Sequence, residues 1–259
     1  MEPILMCENV TKKFVNLTAV NDLSFQIERN AITSIIGPNG AGKSTTLNLV
    51  TGVDRATDGA IFLNGNDISR IRKTDMAGHG ISRTYQNVRL FHTNQLTVLD
   101  NVKIGMHSKY TTGFWSSGLD LKNAKKKEKE MMEKTEELLK FLNIDHLKNK
   151  TIPSLSFGNQ RLVELARALA VEPTLLILDE PAAGLNDAET DHLANILIEL
   201  KERGITILLV EHHMGLVMKI SRKIIVLNYG TKLAEGTPEE IKVNDEVIKA
   251  YLGEEAHHA

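Results

Sequence analysis

With one cysteine, Cys7, the chain can form no disulfide within itself, so packing alone must hold it together, as suits a reducing compartment. No apolar run approaches the ~18 residues that a membrane-spanning helix requires. The opening Met1-Glu2-Pro3 lacks the basic and apolar regions of a secretory signal. The expectation is a cytoplasmic chain that works at a membrane only if something else holds it there. A formal net charge of −2 excludes a global field that recruits nucleic acid. There is no internal repeat and no long coiled-coil run. The 259 residues suffice for one large α/β domain or two small lobes, and 42% hydrophobic with 25% charged residues is ordinary for a soluble globular protein.

The stretch Gly37-Pro-Asn-Gly40-Ala-Gly42-Lys43-Ser44-Thr45 fits G-x-x-x-x-G-K-[ST]. It follows an apolar run, Ala31 to Ile36, that reads as a buried strand, and it precedes a helical pattern, Thr46 to Val50, that stops at Gly52. Glycines at 37, 40 and 42 let successive N–H groups turn inward and form an anion nest at a helix start. Asn39, Gly40, Ala41, Gly42, Lys43, Ser44, Thr45 and Thr46 are therefore the expected phosphate contacts. Lys43 would reach the outer phosphates, and the Ser44 hydroxyl would ligate magnesium.

Short apolar runs at Ile4–Val10, Leu23–Ile27, Ile32–Ile36 and Ala60–Leu63, separated by turns such as Asn64-Gly65, predict an antiparallel lobe that feeds the phosphate-loop strand. The composition changes after about Val88. A glycine- and serine-rich patch (Gly113 to Gly118) leads into a segment rich in lysine and glutamate, where Met131, Met132, Thr135, Leu138, Leu139 and Leu142 fall at helical spacing. Its interleaved charges read as a solvated helix face rather than a nucleic-acid surface. A second amphipathic helix starts near Asn159 and ends before Pro173. Thereafter strands and helices alternate, which predicts a parallel sheet wrapped by helices.

Leu175 to Leu178 is an all-apolar strand that ends in Asp179-Glu180. Strand carboxyl ends of a parallel sheet face the ligand crevice, so Asp179 is expected to hold the magnesium shell and Glu180 to orient an attacking water. Alternatively, the two acids merely cap the next helix. His212 follows the apolar strand Ile205–Val210 and should reach the same edge, where an imidazole can donate to a γ-phosphate. In Leu155-Ser156-Phe157-Gly158-Asn159-Gln160, Ser156 reads as an N-cap and Gly158 as a loop residue, or the two form a second anion-binding surface at a helix start. One nucleotide has no need of two such surfaces from one chain, so the second reading implies a dimer with each nucleotide held between subunits.

In this order the motifs resemble the ATP-binding cassette ATPases: phosphate loop, Gln86, Ser156–Gly158 signature, acidic strand, His212. The resemblance covers nearly the whole chain. It implies a P-loop NTPase α/β fold: a RecA-like parallel sheet with an antiparallel lobe (about 1–88 and 159–230), an inserted helical subdomain (89–158) and a C-terminal extension (231–259). It implies ATP and Mg2+ as ligands. Phe14 matches the aromatic that stacks on adenine, with Val20 flanking it. Gln86 is implied as a catalytic and magnesium-contacting residue, and Ser156 and Gly158 as γ-phosphate contacts to a partner's nucleotide.

The segments Arg83-Thr-Tyr-Gln86-Asn87-Val-Arg-Leu-Phe91, Asp179 to Asn186, Val210 to Met214 and Ala250-Tyr251-Leu252-Gly253 are similar to ATPases of branched-chain amino acid importers. Such subunits pair with a second ATPase, a relative or a copy, on the cytoplasmic face beneath two membrane permeases fed by a solute-binding protein. Phe157, Asn159 and Asn186 depart from the commonest family pattern. The alternative is the ATPase of a lipid or polysaccharide exporter. A cassette protein acting on ribosomes or DNA would carry tandem cassettes or a long coiled coil, which this chain lacks. A GTPase is disfavoured because no Asn-Lys-x-Asp motif occurs.

Overall fold

A computed structural model describes residues 2–86, 88–91, 93, 95–111 and 121–255. Asn87 and the Gly113–Gly118 patch lie outside the described residues. The chain opens with β1 (Leu5–Phe14) and β2 (Leu17–Ile27), then β3 (Ile32–Ile36), α1 (Lys43–Val50), β4 (Asp58–Leu63) and β5 (Asn66–Asp67). Next come β6 (Ile81–Arg83), α2 (Val98–Thr111), α3 (Leu121–Phe141) and α4 (Phe157–Leu169). The remainder is β7 (Leu175–Asp179), α5 (Asp187–Glu202), β8 (Thr206–Val210), α6 (Met214–Ile220), β9 (Lys223–Asn228), β10 (Thr231–Gly236), α7 (Pro238–Lys242) and α8 (Asp245–Glu255).

Two sheets result. An antiparallel one has the order β2-β1-β4-β5, and a second has the order β10-β9-β3-β8-β7-β6, parallel except for β10. The phosphate-loop strand β3 is internal to the parallel sheet, between β9 and β8. Strands β3, β7 and β8 are buried at every position, because both faces of this sheet are covered.

Alternation decides which side each residue serves. Leu175, Ile177, Leu208 and Val210 join a core with the antiparallel sheet and α1, while Leu176, Leu178, Ile207 and Leu209 join one with α2, α4 and α5. The predicted amphipathic segment is α3. Its Thr135, Leu139 and the following Leu142 are buried, and Met131 and Leu138 pack against the helical core. Burial pushes the Cys7 thiol far up from its ordinary value, which leaves it an inert packing residue.

The strands of the antiparallel lobe run beyond the apolar runs that announced them, because β1 continues through the polar Thr11–Lys13 to Phe14. β4 and β5 join through Asn64 (φ 52°) and Gly65 (φ 77°), the residue pair that a two-residue hairpin turn prefers. Between β6 and α4 the described residues hold helices α2 and α3 and short 3-10 turns, with no strand longer than an isolated bridge between Thr97 and Thr151. A Thr97–Asp100 box starts α2: Thr97 N and Oγ1 both donate to Asp100 Oδ2 (2.9 and 2.6 Å), and Asp100 N donates back to Thr97 Oγ1.

Candidate functional site

Parallel register brings three strand ends to one edge. Ile35 lies beside Val210 and Val210 beside Asp179, so the loop after β3, the end of β7 and the turn after β8 converge. Gly37 (φ 151°) opens the phosphate loop, where a Cβ would stand 2.1 Å from the Leu227 carbonyl oxygen. Gly42 (φ 97°) is the N-cap of α1, so the helix begins at Lys43 rather than at Thr46, and the N–H groups of its first turn face the loop. The Lys43 ammonium is buried and donates to the Gly37 and Pro38 carbonyls at 2.6 and 2.8 Å, which holds it inside the loop. A cavity of about 340 Å³ opens over Gly40, Gly42, Lys43, Ser44 and Thr45 and extends to Leu17, Thr18 and Ala19.

Glu180 leaves β7 with φ at 50°, a left-handed conformation that a glutamate rarely adopts. The turn re-aims its carboxylate away from that of Asp179. Gln86 Nε2 donates to Glu180 Oε2 at 2.7 Å, and His212 Nε2 lies 2.7 Å from Glu180 Oε1. Three residues singled out separately in the sequence thus meet at one carboxylate. Glu211, buried, fixes the frame: its Oε1 accepts from Ala182 N at 2.6 Å, and its Oε2 accepts from His212 N at 3.0 Å. The turns after β7 and β8 are therefore tied together.

Asp179 is not simply open to a metal. Its Oδ2 accepts from Arg83 Nη2 at 2.8 Å, both side chains being under one-tenth exposed (8% and 7%). Arg83 Nη1 also donates to Asn48 Oδ1 and Thr51 Oγ1 on and just after α1. Sequence reasoning missed Arg83. The available signal was a buried strand-end carboxylate that needs a counter-charge, with an arginine three residues before Gln86 to supply it.

Ser156 is the N-cap of α4, its Oγ accepting from Asn159 N at 3.3 Å. The simpler reading of its role is thereby met, and the hydroxyl retains a proton to donate. Gly158 has a job within the chain as well, since a Cβ there would lie 2.4 Å from Glu189 Oε1. Glu189 forms a capping box with Asn186 at the start of α5, so asparagine here does what aspartate would do as a cap.

Arg161 of α4, buried, donates to the backbone carbonyls of Tyr85 (3.0 Å) and Gln86 (2.6 Å) and pairs with Glu164. Burial pushes the Glu164 carboxyl above the ordinary carboxylate range, against the lowering effect of the Arg89 N–H and Arg161. Glu211, Arg161 and Glu164 also escaped sequence reasoning, because nothing near them in the chain reveals partners as much as 76 residues away.

Val20 departs from expectation. It is fully buried beneath Gly42, its Cγ2 3.5 Å from where a Cβ on that glycine would stand, so it shapes the loop from below and offers no face to a base. Leu17, Thr18 and Ala19 form the cavity wall in its place. Phe14 is 41% exposed beneath the Lys12 ammonium, 4.7 Å from its ring centre, and is not among the residues lining the cavity.

A glycine loop at an internal strand end, facing a strand-end carboxylate pair and a histidine, defines a P-loop nucleotide-binding protein. A family model described as "ABC transporter" matches residues 20–183, and one described as "Branched-chain amino acid ATP-binding cassette transporter" matches residues 231–257. The chain is 42% identical to the high-affinity branched-chain amino acid transport ATP-binding protein BraF of Pseudomonas aeruginosa, across 97% of this chain and 98% of that one. It is 40% identical to LivG of Salmonella typhimurium, described in the same terms, across 98% and 99%. A solved ADP conformation of an ATP-binding cassette of an ABC transporter superposes with TM-score 0.82 at 31% identity, covering 98% of this chain and all (100%) of that one. The chain belongs to the ABC transporter family, among the ATP-binding proteins of branched-chain amino acid transport.

Proposed function

We propose that this chain is the ATP-hydrolysing subunit of an importer that drives branched-chain amino acids through separate membrane permeases. The observation that carries the catalytic part is the Glu180 carboxylate gripped by Gln86 and His212 beside the phosphate loop. The family model matched at residues 231–257 and the BraF and LivG relatives favour import over the exporter alternative. No helix among the described residues is long and apolar enough to cross a membrane, so the permeases would supply the anchoring at the cytoplasmic face.

In this reading ATP lays its phosphates on residues 39–46, and Lys43 exchanges its two carbonyl acceptors for phosphate oxygens. Glu180 accepts a proton from the attacking water, with Gln86 and His212 fixing its orientation. His212 and Lys43 then stabilise the charge that builds on the transferring group. The donors available to magnesium are all hard oxygens, as that ion requires: Ser44 Oγ, the Oδ1 of Asp179 left by Arg83, and the amide oxygen of Gln86 opposite its Nε2 bond to Glu180. When bound there, magnesium would neutralise phosphate charge.

Ser156 and Gly158 would complete the site of a second cassette. A solved dimeric cassette of a bacterial ABC transporter, 26% identical with TM-score 0.76, offers a precedent for such pairing. In this reading residues 89–158 form the helical subdomain that carries the Ser156–Gly158 signature, and residues 231–259 form a C-terminal extension. The reading is tested by phosphate release from the purified chain, and by ATP-dependent leucine uptake into vesicles that hold it with its permeases and binding protein. No phosphate release in any combination, or uptake that ignores ATP, sinks it.

A further inference from the structure

Among the described residues three hairpins turn on two residues, and in two of them, unlike Val15-Asn16 between β1 and β2, both turn residues have positive φ. Asn64-Gly65 joins β4 to β5 with the residue type that tolerates this backbone. The other joins β9 to β10, where Asn228 pairs with Thr231 and the turn is Tyr229 (φ 45°) and Gly230 (φ 79°). A tyrosine there is sterically disfavoured, and the residue is 86% exposed, so neither backbone ease nor core packing accounts for it.

The turn is also firmly held. Gly230 N donates to Ala41 O of the phosphate loop at 3.1 Å, and Asn21 N of β2 donates to Gly230 O at 2.8 Å. A Cβ on Gly230 would come within 2.8 Å of Ala19 O, so the turn fits closely between loop and strand. Thus anchored, Tyr229 lines the cavity that begins at Gly40 and Ser44 and continues past Leu17 and Ala19. A strained, exposed aromatic fixed at the mouth of a phosphate site points to a ligand for its ring.

We infer that Tyr229 is a nucleoside-contacting residue: its ring packs against the base and ribose of the nucleotide whose phosphates lie on the loop. An aromatic face suits a purine without reading its edge. The inference rests on the nucleotide-binding reading above and adds to it a residue outside the ordered motifs.

The test compares the full-length chain with Tyr229→Asn and Tyr229→Phe by titration with ATP and with inorganic tripolyphosphate, which has no nucleoside. Asparagine suits the turn, so Tyr229→Asn should raise the thermal midpoint of the nucleotide-free chain while weakening ATP binding about tenfold, the size of one base–aromatic contact. Tripolyphosphate binding should be unchanged, and Tyr229→Phe should restore ATP affinity. ATP binding to Tyr229→Asn as tight as to the unsubstituted chain overturns the assignment. So does an equal loss of both ligands, which would mean a distorted loop. An unsubstituted chain that holds tripolyphosphate but gains nothing from the nucleoside refutes the Tyr229 contact alone; one that holds neither ligand refutes the nucleotide site itself.

Discussion

The imidazole of His212 lies 2.7 Å from the carboxylate of Glu180, although 32 residues separate them in the chain. The other oxygen of that carboxylate accepts from Gln86, so each oxygen has one partner that fixes the plane of the group and keeps a further lone pair for a water. This pre-set orientation is what a group that aims water requires.

Replacing Glu180 by glutamine keeps the size and an accepting oxygen for Gln86, but turns the oxygen that faces His212 into a donating amide and so removes the basic group. ATP binding should persist while turnover falls by roughly 100-fold or more, the usual scale of a lost general base. Phosphate release and nucleotide titration on the same preparation separate the two effects. Near-normal turnover would remove Glu180 from its role. Lys43→Ala, in contrast, should lose nucleotide binding itself.

Arg83 and Asp179 form a buried pair whose arginine also spans to Asn48 and Thr51. Arg83→Met should lower stability by about 3–5 kcal/mol, because it strands a carboxylate with little access to water. Urea unfolding of Arg83→Met and of Arg83→Met/Asp179→Asn measures this, with the double substitution recovering part of the loss. A change under about 1 kcal/mol would mean that Asp179 finds water or another donor.

Gly158→Ala brings a methyl to within 2.4 Å of Glu189 Oε1, the mobile end of a side chain. Glu189 can swing aside, which costs the capping box of α5, so the loss of stability should be only about 1 kcal/mol. ATP-dependent association of two copies, or of the chain with its companion cassette, should fall much further, as sedimentation would detect. Association at the unsubstituted level would confine Gly158 to its local job.

The Thr97 hydroxyl and N–H hold the Asp100 carboxyl below the ordinary carboxylate range. A lowered folded-state value favours the ionised form in the fold, so its contribution is present above about pH 4 and is lost as pH falls through the lowered value. Asp100→Asn should therefore unfold more readily at neutral pH and lose less additional stability on acidification. Parallel acid-unfolding curves for the two proteins would contradict this.

What could be read from the chain followed period and punctuation. The all-apolar run at 175–178 and the mainly apolar run at 205–210 read as strands buried in a parallel sheet, and so put Asp179, Glu180 and His212 at one sheet edge. Strand β6 has three residues, and β10 is the polar TKLAEG at a sheet edge, so neither carried a readable pattern. Val20 could not be placed from the chain because its burial depends on β2 packing under Gly42, a contact between separate segments. Arg83, Arg161 and Glu211 stayed silent because a polar residue reveals its partner only once distant segments are folded together.

Arg161 grips the carbonyls of Tyr85 and Gln86 from the helix whose cap is Ser156. That guanidinium acts as an axle pin. In the proposed dimer, a companion subunit that pulls on Ser156 would also load the Gln86 backbone, whose side-chain amide touches Glu180, through the two charge-assisted hydrogen bonds of Arg161. Within that dimer, the carboxylate that would aim water at one nucleotide is therefore tied, through Arg161, to the helix cap that would face the other.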